Sequence, residues 1–143
     1  MPKHSEKRVL PHTPEQMYSL VADIGRYPEF LPWCVGARIV RQSEREVVAD
    51  LLIGFKVFRE RFRSRVALDP ETRIIKVDYV EGPMRYLENH WHFLPHAQGC
   101  EIDFRVDFEF RSVLLRKAIE PLFHEAVRRM VAAFEKRAVA LYG

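Results

Sequence analysis

The stretch CEIDFRVDFEF, residues 100–110, constrains the fold of this chain more than any other. Cys100, Ile102, Phe104, Val106, Phe108 and Phe110 are apolar, and every residue between them, Glu101, Asp103, Arg105, Asp107 and Glu109, is charged. Successive side chains point to opposite faces in an extended strand. The segment therefore reads as a strand with one face buried and the other in water. Such a strand suits an antiparallel sheet, since strands of parallel sheets are covered on both faces and lose the alternation. The chain must then supply partner strands and a cover for the apolar face.

The partners lie upstream. Period-two patterning predicts strands near 35–42, 46–55, 57–68, 73–81 and 85–94, and a short first strand over 3–11 that ends at Pro11. SERE, DPET, the GP at 82–83 and PHAQG separate the runs, with a weaker break in the GF at 54–55. Such short spacings without intervening helices imply an antiparallel meander. In 57–68, Phe58, Phe62, Val66 and Leu68 share one side while Arg59, Arg61, Arg63 and Arg65 share the other. A basic outer strand and the acidic outer face of 100–110 would attract each other as neighbours; their adjacency is not legible in the sequence.

The cover comes from helices. In HTPEQMYSLVADI, Thr13 suits the N-cap, Pro14 the first helical position and Gln16 the capping box. Met17, Leu20, Val21 and Ile24 form the apolar stripe, and Gly25 is expected to end the helix. One short helical turn is expected between Pro28 and Pro32. Residues 113–142 read as a long C-terminal helix, about 45 Å if unbroken at ~1.5 Å per residue. Its stripe is Leu115, Ile119, Leu122, Phe123, Ala126, Met130, Phe134 and Leu141, and Pro121 must kink or restart it. The plan is α+β: a curved antiparallel sheet of about seven strands, two short helices after the first strand, and a long helix closing the apolar face. One helix over a wide sheet need not fill the space beneath it, so the plan leaves room for a tunnel.

Composition narrows the function classes. The 143 residues fit one domain over 1–143. No apolar run approaches the ~20 residues of a membrane span, and MPKHSEKRVL lacks the apolar core of a secretion signal. Cys34 and Cys100 alone suit a reducing cytosol, although an even count leaves one disulfide open. A cytoplasmic location, peripheral at most to the inner membrane, is the expectation. A net charge of +3 and a pI near 9.0 permit RNA or anionic lipid as partners without demanding either; no DNA partner is expected. Walker loops, dinucleotide turns and nucleophilic triads are absent. His90, His92 and His96 invite a metal reading. Yet His90 and His92 share their face with Tyr86 and Glu88, opposite Trp91 and Phe93, so water is their expected neighbour, and no metal is expected.

Five stretches, YPEFLPWC (27–34), FRERFRSRV (58–66), EGPMRYLENHWHF (81–93), FEFRSVLL (108–115) and FEKRAVALYG (134–143), carry a family resemblance. In this order the chain resembles the START-like helix-grip superfamily, also called polyketide cyclase/dehydrase-like. Within it the chain is similar to coenzyme Q-binding proteins and to bacterial relatives known as ribosome association toxins. The resemblance implies a hydrophobic cavity between sheet and C-terminal helix that holds a lipid, ubiquinone in the best-known members, and implies no reaction and no cofactor beyond that ligand.

Candidate ligand-binding residues follow. Tyr27, Phe30, Leu31 and Trp33 either pack on the core or form a proline-stiffened lip at the cavity mouth, touching ligand or membrane. Phe62, Val66, Leu87, Trp91, Phe93, Phe104, Val106, Phe123, Met130 and Phe134 are the expected lining, and would equally build an ordinary core. Ser64, Glu60 and Asn89 interrupt apolar faces and could bond a quinone oxygen or a neighbouring side chain. Arg137 breaks the helix stripe, with Glu60 as a candidate partner and solvent as the alternative. The leading expectation is a non-enzymatic carrier of an isoprenoid quinone, supporting respiration or quinone synthesis. A ribosome-binding inhibitor of translation, using Arg59, Arg61, Arg63 and Arg65 on phosphates, is the alternative. A cyclase or dehydratase built on Glu60 stands last, since one acid without a positioned partner is little to work with.

Overall fold

A computed structural model describes residues 3–55 and 57–143. Seven strands, β1 (Lys3–Leu10), β2 (Cys34–Gln42), β3 (Glu46–Phe55), β4 (Phe58–Asp69), β5 (Ile74–Glu81), β6 (Met84–His96) and β7 (Gly99–Phe110), form one antiparallel sheet. Its order is β1-β7-β6-β5-β4-β3-β2. The expected meander runs from β2 to β7, and β1 joins at the far edge. Lys56, between the expected strands 46–55 and 57–68, lies outside the described residues.

The alternation of 100–110 lands as read: Cys100, Ile102, Phe104, Phe108 and Phe110 are buried in β7. Its acidic face does not meet the basic face of β4, because β5 and β6 lie between them. The β4 arginines turn to acids nearer in the meander. Arg63 forks onto Asp50 of β3 at 2.7 and 3.2 Å, and Arg61 reaches the same carboxylate at 3.0 Å. Arg65 approaches Glu46 at 3.6 Å. Asp50 is 5 % exposed, and the Arg63 hydrogen bonds hold its carboxyl below the usual aspartate range despite the cost of desolvation.

Register shifts between Arg63 and Ser64 and between Met84 and Tyr86 mark bulges, which bend a sheet and increase its twist. Gly82, at φ 145°, closes the turn between β5 and β6. A Cβ there would stand 2.6 Å from Cβ of Phe62, so no other residue fits without moving that strand.

The first helix, α1 (Pro14–Ala22), has the expected capping box: Thr13 accepts from the Gln16 N–H at 3.1 Å and Gln16 accepts from the Thr13 N–H at 3.0 Å. It stops before Gly25. Asp23 caps it, and Ile24–Glu29 continues as a 3₁₀ turn with Pro28 inside. The short helical turn thus includes Pro28 and ends at Glu29, rather than running from Pro28 to Pro32. Pro28 is tolerated because it directly follows Tyr27, whose carbonyl accepts from the Phe30 and Leu31 N–H groups at 3.2 and 2.9 Å, a position that asks for no N–H donor.

The C-terminal helix restarts at Pro121 as expected. It comprises α2 (Val113–Ile119), a 3₁₀ turn over Glu120–Leu122, and α3 (Phe123–Tyr142). The restart changes the buried face. Leu122 and Leu141, expected on the stripe, are exposed, while Val127, Val131 and Ala138 join Phe123 and Phe134 inside. At positions 123, 127, 131, 134 and 138 these recur every three or four residues, the spacing of one helix face.

Candidate functional site: a two-chamber apolar cavity

The bent sheet and α3 do not close on each other. A cavity of about 300 Å³ remains between them, lined from the sheet by Phe62, Ser64, Val66, Leu87, Asn89, Trp91, Phe104 and Val106 and from the helix by Phe123, Met130 and Phe134. A second chamber of about 280 Å³ lies alongside, bounded by Phe55, Phe58, Glu60, Pro83, Met84 and Phe110. Trp33, Ile53, Phe62, Ile119 and Ala126 line both, so the two spaces share a wall. Small ligand sites are typically ~300–1,000 Å³ and mostly apolar with a few polar groups, and the two chambers together fall in that range.

The sheet lends the inner chamber two polar side chains, Ser64 and Asn89. Ser64 is 4 % exposed and its hydroxyl makes no hydrogen bond within the described residues. Asn89 is committed: its amide donates to the Arg105 carbonyl at 2.8 Å, and its oxygen accepts from the Trp91 indole at 2.9 Å. Asn89 thus fixes the rotamer of Trp91, whose ring meets Phe104 edge-on at 4.5 Å and Phe134 at 5.3 Å. Of the two, Ser64 is the group left to meet an oxygen of a ligand.

The segment 27–34 forms one wall. Tyr27, Leu31, Pro32, Trp33 and Cys34 line the inner chamber. The Tyr27 hydroxyl donates to the Val21 carbonyl, and burial pushes its phenol far above the ordinary value. Phe30 departs from the expectation. It does not line the cavity but packs on Phe134 at 5.3 Å, beneath the Arg137 guanidinium at 5.0 Å. Arg137 also differs: its partner is Glu29, at 2.7 Å, not Glu60. That bond holds the Glu29 carboxyl below its usual range. Chain order explains the correction, since the 3₁₀ turn brings Glu29 and Phe30 over the last turns of α3. Phe93 is corrected too; it is fully buried beyond the cavity, against Trp91 and Tyr18.

Trp33 adopts φ 65°, a left-handed conformation that costs a non-glycine residue about 1–2 kcal/mol. Its carbonyl accepts from Gly54 at 2.8 Å and its ring meets Phe55 edge-on at 6.1 Å. The strain is kept where the indole forms the wall between the chambers.

The expected lining omitted β3 and α1. Ala49, Leu51 and Ile53 of β3, with Val21 and Ile24, also face the cavity. The signal was weak because VVADLLIG mixes two apolar faces around Asp50. Ala49 and Ala126 do more by being small, which leaves volume unfilled.

Glu60 stands in the outer chamber with Glu125 and Arg129, which pair with each other at 3.1 Å. Three charged groups at the mouth leave the interior apolar. His90 and His92 lie on the outer face as expected, and burial beside the Arg105 charge pushes the His90 imidazole below its ordinary value. Among the described residues no group of three or more metal-binding side chains converges, and no helix is long and apolar enough to cross a membrane.

Comparison with known proteins agrees with this architecture. The family model described as polyketide cyclase / dehydrase and lipid transport matches residues 10–135. The ribosome association toxin RatA of Rickettsia prowazekii is 40 % identical over 134 residues, covering 92 % of each chain. The coenzyme Q-binding protein COQ10 homolog B, mitochondrial, of Xenopus laevis is 36 % identical over 99 % of this chain and 59 % of its own length. A START superfamily protein from Mycobacterium smegmatis has the same fold, with a TM-score of 0.82 at 18 % identity over 97 % of this chain and 98 % of that one. The chain belongs to the polyketide cyclase / dehydrase and lipid transport family, with the START-like helix-grip fold.

Proposed function

We propose that this protein is a carrier that holds an isoprenoid quinone, or a lipid of similar shape, in the two-chamber cavity, and that it catalyses no reaction on it. The observation that carries the reading is the cavity itself: a largely apolar space whose inner chamber has one uncommitted hydroxyl and no charged side chain among the described residues, with Glu60, Glu125 and Arg129 confined to the outer chamber. At ~0.8 kcal/mol per buried carbon, each five-carbon isoprene unit gains about 4 kcal/mol on leaving water. Holding such a molecule asks for apolar volume and an entrance rather than catalytic groups. Ser64 offers its hydroxyl to a ring oxygen, and the remaining lining residues accept ring and tail. The name of the 36 % identical relative supports this reading. Organic extraction of freshly purified protein followed by mass spectrometry tests it: near-stoichiometric quinone or a comparable lipid is expected, and protein free of lipid that also takes up none on incubation refutes it.

The name of the 40 % identical relative supports a second reading, a partner on the ribosome that limits translation. The β4 arginines, the candidates for phosphate contact, argue against that particular surface, because Arg61, Arg63 and Arg65 are met by Asp50, Glu81 and Glu46. Cosedimentation with ribosomes that weakens steeply with salt, together with an empty cavity, would replace the carrier reading by this one.

A further inference from the structure

The strands reach one common end beside the outer chamber. β3 finishes at Phe55, β5 at Glu81 and β7 at Phe110, while β4 begins at Phe58 and β6 at Met84. Antiparallel pairing puts all five at the same edge, and Phe55, Phe58, Met84 and Phe110 bound the outer chamber there. The residues just beyond them turn apolar side chains to water. Val57 is 89 % exposed, Leu114 66 %, Val113 58 % and Leu122 40 %. Leu122 also lines the outer chamber, whereas Val57, Val113 and Leu114 line neither chamber.

Charge surrounds this patch unevenly. The stretch 111–119 contains Arg111, Arg116 and Lys117 and no acid. Arg111 and Lys117 are exposed and make no ion pair within the described residues. Arg116 spends its guanidinium on the carbonyls of Phe110, at 2.8 Å, and Arg111, at 3.5 Å. Three acids at this end are already answered: Glu81 faces Arg61 at 4.0 Å, Glu109 faces Arg85 at 3.2 Å and Glu125 faces Arg129 at 3.1 Å. Glu60 and Glu120 are half-buried. What projects outward is aliphatic surface beside two unneutralised cations, Arg111 and Lys117.

We propose that this end is a membrane-docking face: Val57, Val113 and Leu114 enter the headgroup layer of an anionic bilayer while Arg111 and Lys117 meet its phosphates, setting the outer chamber against the lipid. Exposed aliphatics beside basic residues are the composition of interfacial membrane segments. Nucleic acid would make no use of them, because bases stack on aromatic rings and arginine planes, not on valine and leucine. The purpose of the docking rests on the carrier reading above, but its test needs no cargo.

Flotation of the full chain with phosphatidylglycerol–phosphatidylcholine vesicles, against phosphatidylcholine alone and against an RNA homopolymer, decides it. The protein is expected to float with the anionic vesicles. Arg111→Gln and Lys117→Gln should each weaken binding about fivefold, and Leu114→Ser severalfold. All three residues are exposed, so unchanged melting temperature and unchanged uptake of a soluble short-tailed quinone serve as controls for folding and for the cavity. Val57→Asp is a fourth variant on a different element should α2 not tolerate change. Wild-type protein that stays unbound, binds uncharged vesicles equally, survives these substitutions undiminished, or binds RNA in place of lipid overturns the proposal. Vesicle binding without quinone uptake would instead retire the carrier reading and leave the docking face standing.

Discussion

Replacing Ala126 by phenylalanine asks whether the space under α3 is real. Ala126 lies on α3 and lines both chambers, so the added ring enters space that the native side chains leave free. Burying a phenylalanine gains about 1.5–3 kcal/mol, and the change costs about 0.5 kcal/mol in helix propensity. The lipid-free protein should therefore become more stable by about 1–2 kcal/mol. At about 3–4 °C per kcal/mol for a domain of this size, the melting temperature should rise by about 3–8 °C. In a close-packed interior the same insertion would cost about 1–3 kcal/mol through forced rotamers and backbone shifts. The sign of the effect therefore discriminates, not only its size. Calorimetry of delipidated Ala126→Phe protein reads the stability, and quinone titration reads the occupancy, which should weaken at least tenfold. A lower melting temperature with quinone binding intact would refute the reasoning that joins volume to ligand.

Other consequences are equally direct. Ser64→Ala should weaken a short-tailed quinone about three- to tenfold, the worth of one hydrogen bond, while leaving an oxygen-free isoprenoid of similar length unaffected; equal effects on both, by competition titration, would remove Ser64 from ligand recognition. Asp50→Asn should destabilise the fold at neutral pH. Because the folded carboxyl titrates below its unfolded value, the contribution is present above the ordinary aspartate pKa and is lost as pH falls through the folded one. The deficit of the variant against the native chain, measured by urea unfolding, should thus shrink as pH drops from 7 towards 3, and a constant deficit would contradict the assignment. Arg137→Ala removes both the Glu29 bond and the cation over Phe30. Amide exchange over residues 27–33 should accelerate severalfold with the melting temperature little changed, and exchange spread evenly over the molecule would show that the pair does not hold that wall.

Much of this molecule was legible because its residues repeat a simple period. Six of the seven strands follow from alternation alone, with β7 the clearest, and the helix start at Thr13 follows from a capping box that needs only Thr13 and Gln16, three positions apart. What could not be read depends on pieces that meet only in three dimensions. The acidic face of β7 and the basic face of β4 look complementary in one dimension; strand order separates them and gives Arg61 and Arg63 to Asp50 instead. Arg137 finds Glu29 across a sequence separation of 108 residues, a pairing no local pattern encodes. The lining residues of β4, β6 and α3 were named from parity and helical spacing, which specify a face but not whether that face touches a neighbour. The void comes from Ala49, Ala126 and Ser64 standing where bulkier residues would have closed it, and absence of volume leaves no period to detect. Phe30 and Phe93 show the same limit from the other side, since both have the right character and point elsewhere.

The most direct measurement is an isotope-filtered NMR experiment on the delipidated protein titrated with an unlabelled isoprenoid quinone. The account predicts intermolecular Overhauser contacts from tail methyls to Val66, Leu87 and Met130, with slow exchange at one ligand per chain. Resonances that stay in place at saturating quinone, or contacts confined to residues outside the space between β4, β6 and α3, would contradict it.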